Sequence, residues 1–170
     1  MARRPALAAA VVAAVLVLAA PACADAARNT GTTPANGDLS AWGRDVTIDQ
    51  PLSGRVSVSG GQVRIESGVQ GNVAVWNGGV TIDAPVGGDL RLSQGLLEIG
   101  TGGAVAGTVR VWNRGQPVRV DGRIGGDLEV SDARVELGPS ASVAGHLVVW
   151  ARALNRRPGA QVGGPIHVWA

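Results

Sequence analysis

The chain repeats itself every 17 to 19 residues, and this period restricts the folds open to it. The third residue of each repeat is Gly, and the fifth and seventh are apolar. A short repeat cannot bury its own apolar face, so such units fold as a stacked array. The eight repeats begin at Ala35, Leu52, Val69, Val86, Val105, Ile124, Val143 and Val162.

Apolar and polar residues alternate within each repeat, which is the pattern of a strand with one buried face. A second alternating stretch follows in six repeats, as in Val63/Ile65 and Leu97/Ile99, and Gly, Asn, Asp and Pro separate the stretches. The pattern predicts an all-β fold over residues 35–170, a single-stranded parallel β-helix or solenoid of about eight coils. The crossover preference predicts right-handed winding. A β-sandwich is disfavoured because the repeat runs in one direction.

The repeated Gly and the varying repeat length both indicate tight corners between strands. A corner residue adopts a positive φ or leaves room for neighbouring backbone, and Gly does either. The longer repeats gain two residues outside the predicted strands, at 101–104, 114–115 and 138–142. We therefore expect these insertions to lie at corners.

Residues 1–24 have the pattern of a secretory signal peptide. Arg3 and Arg4 precede an apolar run from Ala6 to Ala20, and Ala22-Cys23-Ala24 fits a small-residue cleavage site. We expect export to the periplasm or the exterior, with residues 25–34 as a flexible lead-in. Lipidation of Cys23 is an alternative. The run of about fifteen residues is short for a membrane span, which needs roughly 20.

Charge and composition exclude several classes of function. The chain has 15 Lys plus Arg and 13 Asp plus Glu, so loss of Arg3 and Arg4 leaves equal numbers. A neutral chain is a poor nucleic-acid binder. Cleavage after Ala24 also removes Cys23 and with it thiol chemistry. We expect no catalytic residues, no cofactor and no metal.

All five Trp residues occupy the eighth position of a repeat, and Ser fills that position in the repeats between them. A stacked array would place the Trp rings in one line about 10 Å apart. The rings either cover the backbone beneath them or stack on sugar rings or a protein partner. The residues are Trp42, Trp76, Trp112, Trp150 and Trp169.

Other polar residues share positions in successive repeats. Glu98, Arg119 and Glu136 alternate in sign, as in cross-strand compensation. A second set, Asp49, Glu66 and Asp83, is all acidic; calcium binding is possible in principle, but no loop completes the ligands and we expect a solvated column. His146 follows Asp127 at the same position, which predicts a surface ion pair.

The segments VQGNVAVWNGGVTIDAPVGGDLRL and VAGTVRVW…VDGRIGGDLEV resemble those of bactofilins, the polymer-forming cytoskeletal β-helix family of bacteria. The resemblance covers about residues 35–170 and rests on the recurring apolar-x-Gly-[Asp/Asn]-[Leu/Val] turn. It implies a compact right-handed β-helix that associates end to end without nucleotide and has no catalytic residues. The predicted leader departs from the cytoplasmic setting typical of the family.

Two functions follow from these patterns. The first is a non-enzymatic, exported structural scaffold that self-associates through the ends of its β-helix, because open strand ends either pair or carry protection. The alternative is a binding module or adhesin-like protein that uses the Trp edge for envelope polysaccharide or a protein partner.

Overall fold

A computed structural model describes residues 27–28, 37–150 and 153–169 as strands and turns, with no helix. No helix in this part of the chain is therefore long and apolar enough to cross a membrane. The strands in chain order are β1 (Ala27–Arg28), β2 (Leu39–Trp42), β3 (Val46–Ile48), β4 (Val56–Ser59), β5 (Val63–Ile65), β6 (Val73–Trp76), β7 (Val80–Ile82), β8 (Pro85–Val86), β9 (Leu90–Ser93), β10 (Leu97–Ile99), β11 (Ala104–Val105), β12 (Val109–Trp112), β13 (Pro117–Val120), β14 (Arg123–Ile124), β15 (Leu128–Ser131), β16 (Arg134–Leu137), β17 (Ser142–Val143), β18 (Leu147–Trp150), β19 (Ala153–Arg156), β20 (Gln161–Val162) and β21 (Ile166–Trp169).

The strands form three parallel sheets, and the chain visits them in turn. The first sheet has the order β1-β3-β5-β7-β10-β13-β16-β19, the second β8-β11-β14-β17-β20, and the third β2-β4-β6-β9-β12-β15-β18-β21. Each strand pairs with the equivalent strand one coil away. The eight strands of the third sheet give seven turns of a β-solenoid, which confirms the predicted parallel β-helix.

The predicted leader, residues 1–24, lies outside the described residues, as does most of the predicted lead-in, 25–34. Within the lead-in, Ala27–Arg28 forms β1 and pairs with Val46 and Thr47 of β3. These two residues therefore add a strand at the start of the first sheet.

The core is a column of Val, Ile and Leu along the solenoid axis. One coil shows the arrangement: Val86, Leu90, Leu92, Leu97 and Ile99 come from three sheets and are each at most 1% exposed. Each stacks on its counterpart in the next coil, as Leu92 does on Val111. Burial of each such side chain stabilises the fold by about 1.5–3 kcal/mol, an upper value because the unfolded chain is already partly compact.

The Gly at the third position is required mainly by close approach of the neighbouring coil. Of the eight, only Gly37 has a positive φ, +129°. A Cβ at Gly107 would contact Asp89 Oδ1 and lie 2.9 Å from the carbonyl oxygen of Gly88. The stacking distance between coils therefore leaves no room for a side chain here.

The Asp or Asn that follows this Gly links one coil to the next. Asp89 Oδ1 accepts a hydrogen bond of 2.9 Å from the backbone N–H of Thr108, 19 residues later. The same bond joins three other pairs of coils: Asp38 to Arg55, Asn72 to Asp89 and Asp127 to His146. We call these contacts the Asx ladder; they explain why the Gly-[Asp/Asn] pair recurs.

The inserted residues lie at corners, as predicted. Gly103 donates to the carbonyl of Gly100, and Ala141 to that of Gly138, so both insertions close as turns between the first and second sheets. At the third insertion, Asn113 is 5% exposed. Its side chain accepts from Gly95 N–H at 2.8 Å and donates to Gly95 O at 2.7 Å. The side-chain amide of Asn113 thus takes the place of a backbone pair with the neighbouring coil, at the corner where Arg114-Gly115 is inserted.

Candidate functional site

The five Trp residues form one column along the third sheet, which we call the Trp column. Strand register places Ser59, Ser93 and Ser131 between successive rings, from Trp42 to Trp150. Trp150 and Trp169 are direct neighbours, so the alternation ends at the last coil. Trp42 is 80% exposed and the other four are 46–58% exposed. The structure therefore presents all five to solvent on one side of the solenoid.

A groove lies between the first two rings of the Trp column. It has a volume of about 410 Å³ and is lined by Ala41, Trp42, Ser57, Ser59 and Trp76. The two rings are two coils apart, or about 10 Å at the spacing of neighbouring strands. The lining carries no charged side chain, and its only polar side-chain atoms are serine hydroxyls and indole nitrogens.

A second outward column runs beside the Trp column on the same sheet and changes character along the axis. It is small and neutral in the first three coils, with Ser40, Ser57 and Ala74. Further along, Arg110 Nε donates to Glu129 Oε2 at 3.0 Å. This hydrogen bond, together with the charge of Glu129, raises the pKa of Arg110. Uncharged surface therefore flanks the groove, and the charged side chains of Arg91, Arg110 and Glu129 flank the middle of the sheet.

The acidic column of Asp49, Glu66 and Asp83 lies at the end of strands in the first sheet. Arg64 neutralises part of it, with Nε 2.6 Å from Glu66 Oε1 and Nη2 3.9 Å from Asp83 Oδ2. Among residues 27–28, 37–150 and 153–169, no group of three or more His, Cys, Asp and Glu is arranged to hold a metal ion. Arg64 therefore supplies this acidic column with a counter-charge from within the same sheet.

Of the two other polar contacts predicted from sequence, the column of alternating charge forms and the histidine–carboxylate ion pair does not. Glu98, Arg119 and Glu136 pair in register, and Arg119 Nε lies 3.4 Å from Glu136 Oε2. The predicted ion pair of His146 with Asp127 is wrong within the described part of the chain. The carboxylate instead accepts from the backbone N–H of His146 at 2.8 Å, because the coil above brings that amide over it.

The last coil exposes residues at core positions. Ile166 pairs with Leu147, and Val168 with Val149; both partners are fully buried, yet Ile166 is 40% and Val168 49% exposed. Leu154 and Val162 continue the same arrangement in the other two sheets and are only partly buried. We call these four residues the terminal face. β19, β20 and β21 are the last strands of their sheets, so one edge of each has no strand neighbour among the described residues.

Comparison with protein families connects this architecture to known proteins. A family model described as "Bactofilin: Polymer-forming cytoskeletal" matches residues 63–167, more than half of the chain. The chain belongs to the bactofilin family. No curated protein and no solved structure matches it. The matched region of this bactofilin runs from β5 into β21 and contains most of the Asx ladder and three of the five Trp residues.

Family membership confirms the predicted resemblance and supports a structural, polymer-forming scaffold. Sequence reasoning placed the Trp residues in one column and predicted open strand ends, but it did not predict which apolar side chains of this bactofilin are exposed on the terminal face. The signal was present, because Ile166 and Val168 continue the core pattern into the last repeat. Their exposure depends on which strands cover them, and a periodic pattern does not carry that information.

Proposed function

We propose that this protein is an exported scaffold that self-associates end to end through its terminal face. The observation that carries the proposal is the exposure of Ile166 and Val168 at positions that are fully buried in each coil from Val56 to Val149. Exposed apolar side chains beside unpaired strand edges favour pairing with another chain.

Both ends of the described solenoid leave an edge strand in the third sheet, β2 at the start and β21 at the terminal face. At the start, Leu39 is also only partly buried, so the terminal face of a second chain can stack there head to tail and the contact can repeat along a filament. At the other end, a second chain could cover both apolar side chains and strand edges. Completing the burial of Ile166 and Val168 would contribute about 1 kcal/mol from each, roughly half the value for a full side chain. Backbone pairing along three strands would add register and specificity.

Association along the axis leaves the side of the solenoid accessible. Trp76 and Trp112 lie on the outer face of the third sheet, several coils from the terminal face. A scaffold assembled through its end would therefore still present the Trp column along its length.

Sedimentation velocity and negative-stain electron microscopy test the proposal. The variant Val168→Asp places a carboxylate on the terminal face, where burial against another chain would be costly. We expect the wild type to form filaments and this variant to form only short species. Val148→Asp is the matched control, because it makes the same change on the outer face of the preceding strand. Filaments that survive Val168→Asp, or that are lost equally in both variants, would contradict the proposal.

Export rests on the predicted leader and needs its own measurement. Expression in a bacterial host, followed by cell fractionation and mass spectrometry, should find the chain outside the cytoplasm and beginning after Ala24. Detection of the chain in the cytoplasm with residues 1–24 still attached would contradict export and would not affect the proposed scaffold role. A lipid on Cys23 would replace cleavage after Ala24 with lipoprotein anchoring.

A further inference from the structure

We propose that the first four rings of the Trp column, Trp42, Trp76, Trp112 and Trp150, form a binding site for an extended β-1,4-linked glycan, whose sugar rings stack on successive Trp side chains. The proposal does not depend on self-association, because it concerns the side of the solenoid and not its end.

The shape of the groove supports a flat, uncharged ligand. Trp42 and Trp76 form the two sides of the groove, and Ser57 and Ser59 contribute hydroxyls to it. The neighbouring outward positions in these coils are Ser40 and Ala74. A pyranose ring presents an apolar face of C–H groups and a rim of hydroxyls. The Trp rings can stack on the C–H face of the sugar, and the serine hydroxyls can hydrogen-bond to the hydroxyl groups at its rim.

The spacing of the rings supports a polymer with a two-sugar repeat. Trp and Ser alternate coil by coil from Trp42 to Trp150, so successive rings are about 10 Å apart. An extended β-1,4-linked chain turns each sugar over relative to the last, so equivalent faces recur every second sugar at a comparable distance. A straight row of rings fixed by the sheet can therefore meet every second sugar of one chain.

The interruption by Ser favours a glycan over a protein partner. A protein interface normally has a continuous apolar centre with a polar rim. Here the apolar surface is divided into separate rings, each 46–80% exposed, with a serine hydroxyl between successive rings from Trp42 to Trp150. Several weak stacking contacts on one chain add through effective concentration, so binding should strengthen with ligand length.

The test uses the purified full chain, with tryptophan fluorescence and isothermal titration as readouts. The probes are chitohexaose and cellohexaose, which share the linkage and differ in the acetamido group, with the corresponding disaccharides for length. Maltohexaose is the control ligand, because its α-1,4 linkage curves the chain. We expect saturable binding of at least one β-1,4-linked hexamer, about tenfold or more tighter than its disaccharide, and no comparable binding of maltohexaose.

The variant that tests the site is Trp76→Ser with Trp112→Ser. It should keep its fold, since Ser occupies the same column at Ser59, Ser93 and Ser131, and circular dichroism with thermal melting checks this. We expect at least about a tenfold loss of hexamer affinity, equivalent to about 1.4 kcal/mol. Arg64→Ser with Arg119→Ser, on the first sheet, is the matched control and should bind as the wild type does.

Several outcomes would overturn the proposal. They are the absence of binding to both hexamers, equal binding of maltohexaose, and unchanged affinity in a folded Trp76→Ser/Trp112→Ser variant. A change in sedimentation of that variant without any glycan binding would assign the column to contact between copies of the chain. A large fall in its melting temperature without glycan binding would assign the rings to packing.

Discussion

The variant Gly107→Ala tests whether the Gly of each repeat is fixed by the distance between coils. The new Cβ would contact Asp89 Oδ1 and lie 2.9 Å and 3.0 Å from the carbonyl oxygen and carbon of Gly88. Backbone on both sides is held by the sheets, so the neighbouring coil has little freedom to move away. Overpacking of this kind costs about 1–3 kcal/mol.

The matched control is Gly68→Ala, at a corner without a positive φ. Its Cβ would meet only Pro85 atoms, at 3.9 Å, which is ordinary van der Waals contact. We expect a change within about 0.5 kcal/mol of the wild type. Since both variants add one methyl group to a corner Gly, the difference between them isolates the close approach.

Asp89→Ala separates the carboxylate from the backbone in the same contact. Alone, it removes the acceptor of Thr108 N–H and should cost about 1–3 kcal/mol, toward the lower end because the bond is only partly buried. In the double variant with Gly107→Ala, the new Cβ no longer contacts Asp89 Oδ1, but it still lies close to the carbonyl group of Gly88. The double variant should therefore be less destabilised than the sum of the single variants and still less stable than Asp89→Ala.

Urea unfolding followed by circular dichroism measures these free energies. The experiments belong in a Val168→Asp background if that variant is monomeric, because association would otherwise add to the apparent stability. For a chain of this size, 1 kcal/mol lowers Tm by about 2–4 °C. Equal stability of Gly107→Ala and Gly68→Ala would refute the argument from coil spacing.

Three further predictions concern single polar features. Asn113→Ala should lower the free energy of unfolding by about 2–3 kcal/mol in urea unfolding, because it leaves backbone groups of Gly95 unpaired, and a change under 0.5 kcal/mol would contradict the bridging role. Calcium should leave the melting curve unmoved, since Arg64 already neutralises part of the acidic column; a raised Tm that EDTA reverses would contradict this. Arg110→Gln should not change how Tm varies with pH near neutrality. Because the pKa of Arg110 is raised in the folded state, its contribution to folding stability is complete below its usual pKa and is lost only at more alkaline pH. A new pH-dependent change of Tm near neutrality would contradict this.

The repeat determines most of the fold because it specifies both the strand pattern and the register. A shift of one residue would turn Leu90 and Leu92 outward, so their alternation fixes which side faces the axis. Equal spacing then fixes the neighbour of each residue, which is why the Trp column could be placed from sequence. The sheets follow from that single pattern.

Side-chain to backbone contacts between coils could not be predicted in the same way. The sequence placed Asp127 under His146 but did not show that the carboxylate would accept from the backbone amide. The role of Asn113 was also missed, because it depends on the path of the inserted Arg114-Gly115. Both contacts are set by local backbone geometry, to which an apolar period is insensitive.

The break in the Trp and Ser alternation separates the two proposed surfaces. Trp76 and Trp112 each have Ser on both sides, as a two-coil ligand spacing requires. Trp169 directly follows Trp150 and lies on the same edge strand as Ile166 and Val168, where a further chain would extend the sheet. The ring of Trp169 lacks the two-coil spacing that the glycan requires, but at this edge it can be buried against a second chain. We therefore assign Trp169 to the association surface and the preceding rings to the flank, so Val168→Asp should affect assembly and Trp76→Ser/Trp112→Ser glycan binding, each without the other.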